Sequence, residues 1–273
     1  MIRITSGIES YSYHGVSCIR NSVPLSKSDE KEMLFWRTDS LECPQGDVFD
    51  NLVNKAHFIK VFNKVLPRLQ LIGDETILEM GGGHCWASAL IKRHYPNCYV
   101  VASDLSPDAV RFLEKYETIL GVTIDERWAF NSRHLPFDKG QFDLVFTFAA
   151  FHHFGEGNDF GAAIREMIRV LRPAGKLVLL YEPSSPQWLY KWAAQRVNRR
   201  RASFSHVIDE DVLVLSKIRR ICERLGCRFE AQYFTSYEER SGIVETVYYY
   251  TLTQVKLLRR LLPCTVNVVI EKM

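Results

Sequence analysis

The run Glu79-Met80-Gly81-Gly82-Gly83-His84-Cys85-Trp86 joins the apolar stretch Thr76-Ile77-Leu78 to the amphipathic stretch Ala87 to His94. A strand that ends in a carboxylate, turns through glycines and enters a helix brings bare backbone close to a ligand. That place, the carboxyl end of a parallel strand, is where nucleotide-like cofactors sit in open α/β sheets. A dinucleotide fingerprint G-x-G-x-x-G begun at Gly81 would put its last glycine on Trp86, whose indole obstructs a pyrophosphate. In the remaining register Glu79 closes the strand and Gly81, Gly82 and Gly83 form the turn. Asp104 ends the next apolar run 23 residues after Gly81. A carboxylate there can accept hydrogen bonds from both ribose hydroxyls. Its alternative duty is to cap a helix, but Ser106-Pro107 supplies the better cap.

These residues need a sheet to position them. Apolar runs at Ile77–Met80, Tyr99–Asp104, Thr123–Phe130, Phe142–Phe148 and Lys176–Glu182 alternate with helical spacing at 86–95, 107–120 and 160–172. Strands alternating with helices predict a parallel, doubly covered sheet with right-handed crossovers. Later, Cys227–Phe234 and Thr265–Ile270 alternate like a pair of final strands, with an apolar, tyrosine-rich helix over Ile243–Leu262 between them. The expected fold is Rossmann-like: seven strands, mostly parallel, with an antiparallel last strand. Residues 1–75 read as an accessory or lid segment with helices at Asp29–Arg37 and Phe49–Leu69, the second capped by Asp50 or Asn51. Residues 76–273 carry the cofactor domain, with substrate-side insertions at about 184–210 and 238–263. Residues 1–24 are weakly patterned.

The chain has 273 residues, 47% hydrophobic and 25% charged, which suits a folded globular protein with one substantial core. No apolar run is long enough for a membrane span, and no export signal is visible. Seven cysteines without C-x-x-C pairs point to reduced thiols in a cytoplasm and away from a zinc site. A net charge of +3 does not by itself call for nucleic acid. No metal, nucleic-acid or membrane partner is therefore expected; the expected partner is a small-molecule substrate, with a homodimer as a further option.

Several segments in order resemble the class I S-adenosylmethionine-dependent methyltransferases, of the type 11-like group, over about residues 70–182. Glu79 to Cys85 is similar to the first motif of that family, and Asp104-Leu105-Ser106 to its ribose motif. Asn131-Ser132-Arg133-His134-Leu135-Pro136-Phe137 resembles the D-A-x-x-L-P-F segment beside the adenine. Phe142-Asp143-Leu144-Val145 and His152-His153-Phe154 resemble the fourth strand and the turn after it. Glu166 to Lys176 resembles the helix and turn before strand five. The resemblance implies S-adenosyl-L-methionine as cofactor, held by Glu79, Gly81, Gly82, Gly83, Asp104, Leu105, Asn131, Ser132 and Phe148. Departures are Cys85 in place of a third glycine, Asn131 in place of an aspartate, and Ala174 in place of a glycine.

Methyl transfer from a sulfonium is an in-line displacement, so the protein aligns the nucleophile, excludes water and removes a proton where needed. His153 and His152 follow the fourth strand, and Glu182 ends the fifth; all three are catalytic candidates. Their bland readings are helix-start packing for the histidines and a turn cap for Glu182. Consecutive Tyr248, Tyr249 and Tyr250 point about 100° apart, so one or two can face a pocket. Tyr13, Phe35 and Trp36 are lid candidates. Arg196 and Arg199 to Arg201 read as a solvated helix end or an anion site, and His206 as a loop residue. The leading function is methyl transfer to a small-molecule acceptor, a natural-product intermediate or sugar, preferably at oxygen. Alternatives are a non-catalytic cofactor-binding partner in a biosynthetic complex and an NAD(P)-dependent oxidoreductase.

Overall fold

A computed structural model describes residues 2–20, 24–155, 159–201, 211–240 and 242–273. The strands are β1 (Ser10–Tyr13), β2 (Val16–Ile19), β3 (Thr76–Glu79), β4 (Tyr99–Asp104), β5 (Glu126–Ala129), β6 (Phe142–Phe148), β7 (Leu171–Ser184), β8 (Cys227–Phe234) and β9 (Cys264–Lys272). The helices are α1 (Lys27–Thr38), α2 (Val48–Val65), α3 (Trp86–His94), α4 (Pro107–Arg111), α5 (Leu113–Leu120), α6 (Gly161–Val170), α7 (Tyr190–Arg201), α8 (Leu215–Arg224), α9 (Ile243–Gln254) and α10 (Leu258–Leu261). His206 and the side chains of Arg199, Arg200 and Arg201 lie outside the described residues.

One sheet runs β1-β2-β5-β4-β3-β6-β7-β9-β8. β5-β4-β3-β6-β7 are parallel, and β9 is antiparallel to both β7 and β8. The sheet has nine strands where seven are expected, because the weakly patterned N-terminus forms the β1-β2 hairpin and β2 pairs with β5. Short, polar Ser10–Tyr13 carries no strong strand signal, yet it covers an edge that would otherwise be open. The order steps outward in opposite directions from β3, so β3 and β6 flank the switch point where doubly wound sheets bind ligands.

Two apolar layers cover the sheet. Ile77, Val100 and Phe146 on one face pack with Phe62 and Val65 of α2, with Ile91 of α3 and with Leu113 of α5. Leu78, Val101, Val145 and Leu179 on the other face pack with Ile164 and Met167 of α6. The accessory segment thus supplies core residues through α2. Asp47, rather than Asp50 or Asn51, caps this helix, accepting from Phe49 N and Asp50 N. Asn51 is buried instead, one turn inside.

The expected helix Ile243–Leu262 is broken. α9 ends at Gln254, Val255 leaves helical geometry, and α10 is a single short helix. Among the described residues, no helix is long and apolar enough to cross a membrane, and no group of His, Cys, Asp and Glu is arranged to hold a metal ion.

Candidate cofactor and acceptor site

The glycine turn is tethered to the neighbouring strand. Gly82 N donates to the Ser103 carbonyl at 2.9 Å and Gly83 N to Asp104 Oδ2 at 2.8 Å. Gly81 and Gly83 have φ of +65° and +56°, the left-handed region. A Cβ on Gly81 would meet Phe154 at 2.7 Å, and one on Gly83 would meet Trp36 at 2.7 Å. Glu79 turns back under the loop. Its carboxylate accepts from Ser88 N at 3.2 Å and Ser88 Oγ at 2.5 Å, at the amino end of α3. Burial pushes this carboxyl up to about 7 against the pull of Ser88. Glu79 therefore braces the turn. Cys85 is also left-handed, at φ +53°, and its buried thiol is pushed well above the ordinary range.

His84 anchors the same turn to α2. Its ring stacks on Phe112 with centroids 3.9 Å apart, Nε2 lies 2.8 Å from the Glu42 carbonyl, and Nδ1 lies 3.2 Å from Asn51 Oδ1. Burial pulls the imidazole down to about 3, so the Nε2 contact is a hydrogen bond from a neutral ring.

Asp104 is buried at the end of β4, where its Oδ1 accepts from Ser106 N at 2.9 Å. Ser106 Oγ caps α4 and Pro107 opens it. Leu105, Asn131 and Ser132 border the same cleft, opposite Asp29 and Glu32 of α1. Asn131 Oδ1 accepts from Arg133 N, and Asn131 Nδ2 lies 3.3 Å from Asp29 Oδ2, which also pairs with Arg133. This end of the cleft keeps only about 30 Å³ of free space. α1 thus closes this end of the cleft.

Past Asp104 the cleft widens to a chamber of about 580 Å³ under Trp36, with Gly81 to Gly83, Trp86 and Phe148 on its walls. Glu32 faces both spaces. Burial, then the charge of Asp104, pushes the Glu32 carboxyl up to about 8; burial pushes Asp104 up to about 6. Of the three carboxylates lining the narrow cleft, only Asp29 has a cationic side-chain partner among the described residues. Trp36 Nε1 is buried on the Glu32 side of the chamber and makes no well-formed hydrogen bond among the described residues. A ligand with a cationic sulfonium, an ammonium, a ribose diol and a carboxylate matches this set of unmet needs.

A third space, of about 540 Å³, opens on the far side of Phe58 and Ala149, which border both chambers. Its walls are mainly aromatic and aliphatic, with Tyr181, Trp192, Tyr248 and Tyr249 joined by His152 and Arg240. Tyr181 has φ +58° and stacks on Phe148 at 5.8 Å. Tyr248 and Tyr249 face the pocket, while Tyr250 is exposed against Tyr237.

Glu182 does not reach this pocket. It is fully buried and accepts from Thr147 Oγ1 at 3.2 Å, Ala150 N at 3.0 Å, Phe151 N at 2.9 Å and His152 Nδ1 at 2.8 Å. Burial alone would raise its carboxyl; His152 and the amides outweigh burial and hold it below the ordinary value. Of the two histidines, His152 borders the third space and His153 the narrow cleft and the chamber under Trp36. Sequence reasoning did not single out Glu32, Tyr181 or Arg240 as site residues. Glu32 and Arg240 sit in polar segments without a motif, and Tyr181 is one residue inside an apolar strand.

The fold and the cleft define a doubly wound α/β domain with a glycine turn and a buried carboxylate at the β3–β4 edge. Residues 78–179 match the family described as a methyltransferase domain. The match spans just over a third of the chain and makes it similar, over those residues, to methyltransferases. The chain is 28% identical over 149 residues to a phthiotriol/phenolphthiotriol dimycocerosates methyltransferase of Mycobacterium leprae, covering 54% of this chain and 52% of that one. It is 30% identical over 144 residues to a demethylmenaquinone methyltransferase of Thermus thermophilus, covering 53% and 64%. The chain thus spans about half to two thirds of these relatives. In fold it is similar to a geranyl diphosphate C-methyltransferase of Streptomyces coelicolor, with TM-score 0.67 at 14% identity over 92% of this chain and all of that one.

Proposed function

We propose that this protein transfers a methyl group from S-adenosylmethionine to a small apolar or aromatic acceptor held between α7, α9 and the β7 edge. The observation that carries this reading is the contact of the two chambers at Phe58 and Ala149, with the glycine turn on one side and His152 on the other. When bound, the cofactor supplies an electrophilic methyl on a sulfonium. Asp104 holds the ribose, and Phe148 with Tyr181 forms the aromatic wall beside the transfer site. Glu182 lies 2.8 Å from His152 Nδ1 and fixes the ring at the edge of this pocket, where the imidazole is the candidate base for an acceptor hydroxyl. Glu182 is then a positioning residue, and oxygen is the favoured acceptor atom. Natural-product intermediates and sugars are the acceptor classes, with the apolar wall favouring the former.

The test is release of S-adenosylhomocysteine on incubation with S-adenosylmethionine and a panel of hydroxylated aromatic and isoprenoid alcohols. Turnover is expected in the wild type and at least a tenfold loss in His152→Ala, with cofactor affinity retained. Thermal stabilisation by NADH but not by S-adenosylhomocysteine would sink the reading. A second reading, a cofactor-binding partner without turnover, is favoured by one observation. Ile243, Val244 and Val247 on α9 are largely exposed, a surface suited to another protein. A stable hetero-oligomer, together with cofactor binding and no turnover, would support it.

A further inference from the structure

We infer that Arg240 forms an anion subsite inside the acceptor pocket, and that the acceptor is an apolar molecule carrying one carboxylate or phosphate. This inference rests on the acceptor pocket assigned above. The Arg240 side chain is only 6% exposed and lines that pocket. Its Nε donates to the Ser236 carbonyl at 3.2 Å, Nη1 to Tyr181 OH at 3.0 Å and Nη2 to Thr265 Oγ1 at 3.3 Å. All three acceptors are neutral. The nearest carboxylate among the described residues is Glu245, at 3.9 Å and itself 31% exposed on its side chain.

A guanidinium has five N–H donors, so one on each terminal nitrogen remains. Two such donors form the fork that meets a planar carboxylate or a phosphate. A buried cation without a hydrogen-bonded counterion is costly to the fold, and an anionic ligand relieves that cost.

The fork is held rigidly. The guanidinium carbon lies 3.5 Å from the Tyr249 ring centroid, a cation–π contact that holds the group against an aromatic wall. Behind it, Lys64 of α2 pairs with Glu238 and Glu239, fastening the segment that carries Arg240. A second guanidinium, Arg196, lines the same pocket over Trp192. The remaining wall offers Val197, Val212, Val244 and Pro263, which suit an apolar body. Tyr181 joins the two ends of the arrangement, because its hydroxyl accepts from Arg240 while its ring stacks on Phe148 beside the cofactor chamber. An acceptor anchored at Arg240 therefore presents a group one tyrosine's length away to the methyl donor.

The test uses the full chain saturated with S-adenosylhomocysteine and titrated calorimetrically with octyl phosphate, octanoate and octanol. The expected result is that at least one anionic probe binds ten or more times tighter than octanol. Which anion wins identifies phosphate or carboxylate as the recognised group. Arg240→Gln should remove the preference and Arg240→Lys should keep part of it. S-adenosylhomocysteine affinity should stay within twofold of wild type in both variants, which also shows that they are folded. Octanol binding as tightly as both anions to the wild type overturns the inference, as does absence of binding by all three. A preference that survives Arg240→Gln overturns it too. Failure of S-adenosylhomocysteine to bind the wild type refutes the cofactor reading instead, and is scored separately.

Discussion

Replacing Glu32 with Gln should stabilise the protein in the absence of cofactor while weakening cofactor binding. In the folded chain, burial and the neighbouring Asp104 charge push the Glu32 carboxyl up to about 8, from an ordinary value of 4.5. The unfolded chain ionises it near the ordinary value. Between those values the folded state therefore holds a proton that the unfolded state has released, and stability falls as pH rises. The difference corresponds to a ceiling of about 4.8 kcal/mol at 1.36 kcal/mol per unit. Because Glu32 is only half-buried, solvent screening reduces this to about 1–3 kcal/mol. Glutamine keeps the shape and removes the charge. Urea denaturation at pH 5 and pH 8.5 should show near-equal stabilities at the lower pH. At the higher pH the variant should gain about 1–3 kcal/mol. Loss of the charge facing a cationic cofactor should raise the Kd for S-adenosylmethionine by roughly 5–20-fold, or about 1–2 kcal/mol. A variant no more stable than wild type at pH 8.5, or a gap independent of pH, would mean that the surroundings do not hold a proton on Glu32.

Three further perturbations follow from the same contacts. Ala174 has φ +61° in an exposed turn within β7, so Ala174→Gly should raise stability by about 0.5–1 kcal/mol in a denaturant titration. Trp36→Ala uncovers Gly83; hydrogen exchange at the glycine-turn amides should speed up, and no change would mean that α1 does not cover the turn. Glu182 is held below its ordinary value, so its stabilising effect is present at neutral pH and is lost as pH falls from the unfolded value through the lowered one. The wild type should lose stability over that acid range and Glu182→Gln, already destabilised by about 2–4 kcal/mol at pH 7, should lose less. Parallel acid denaturation curves would contradict this.

Much of the frame was legible in the sequence because its signals are local. Tyr99–Asp104 and Phe142–Phe148 are strands over the ranges that their apolar runs mark. Ser106-Pro107 caps α4, which leaves Asp104 at the cleft. What stayed hidden depends on contacts distant in sequence. The hairpin Ser10–Ile19 becomes part of the sheet only through β5, more than 100 residues later. Ser10–Tyr13 is largely exposed, so no buried face imposes a period on it. Asn51 reads as a helix cap from its position, whereas its partners are His84, Tyr116 and Glu42. The roles of Glu182 and His152 depend on a 2.8 Å contact between β7 and the turn that follows β6. Placement after a strand puts both histidines at the site edge, but not on which side of Ala149 each falls.

In the proposed site the glycine turn and Asp104 hold S-adenosylmethionine. Calorimetric titration of the wild type and of Asp104→Ala with S-adenosylhomocysteine, alongside NADH, tests this most directly. The wild type is expected to bind S-adenosylhomocysteine and not NADH. Asp104→Ala should lose on the order of a hundredfold in affinity, as expected for two charge-assisted hydrogen bonds to the ribose. Equal binding by the variant, or binding of NADH in place of S-adenosylhomocysteine, would contradict this assignment.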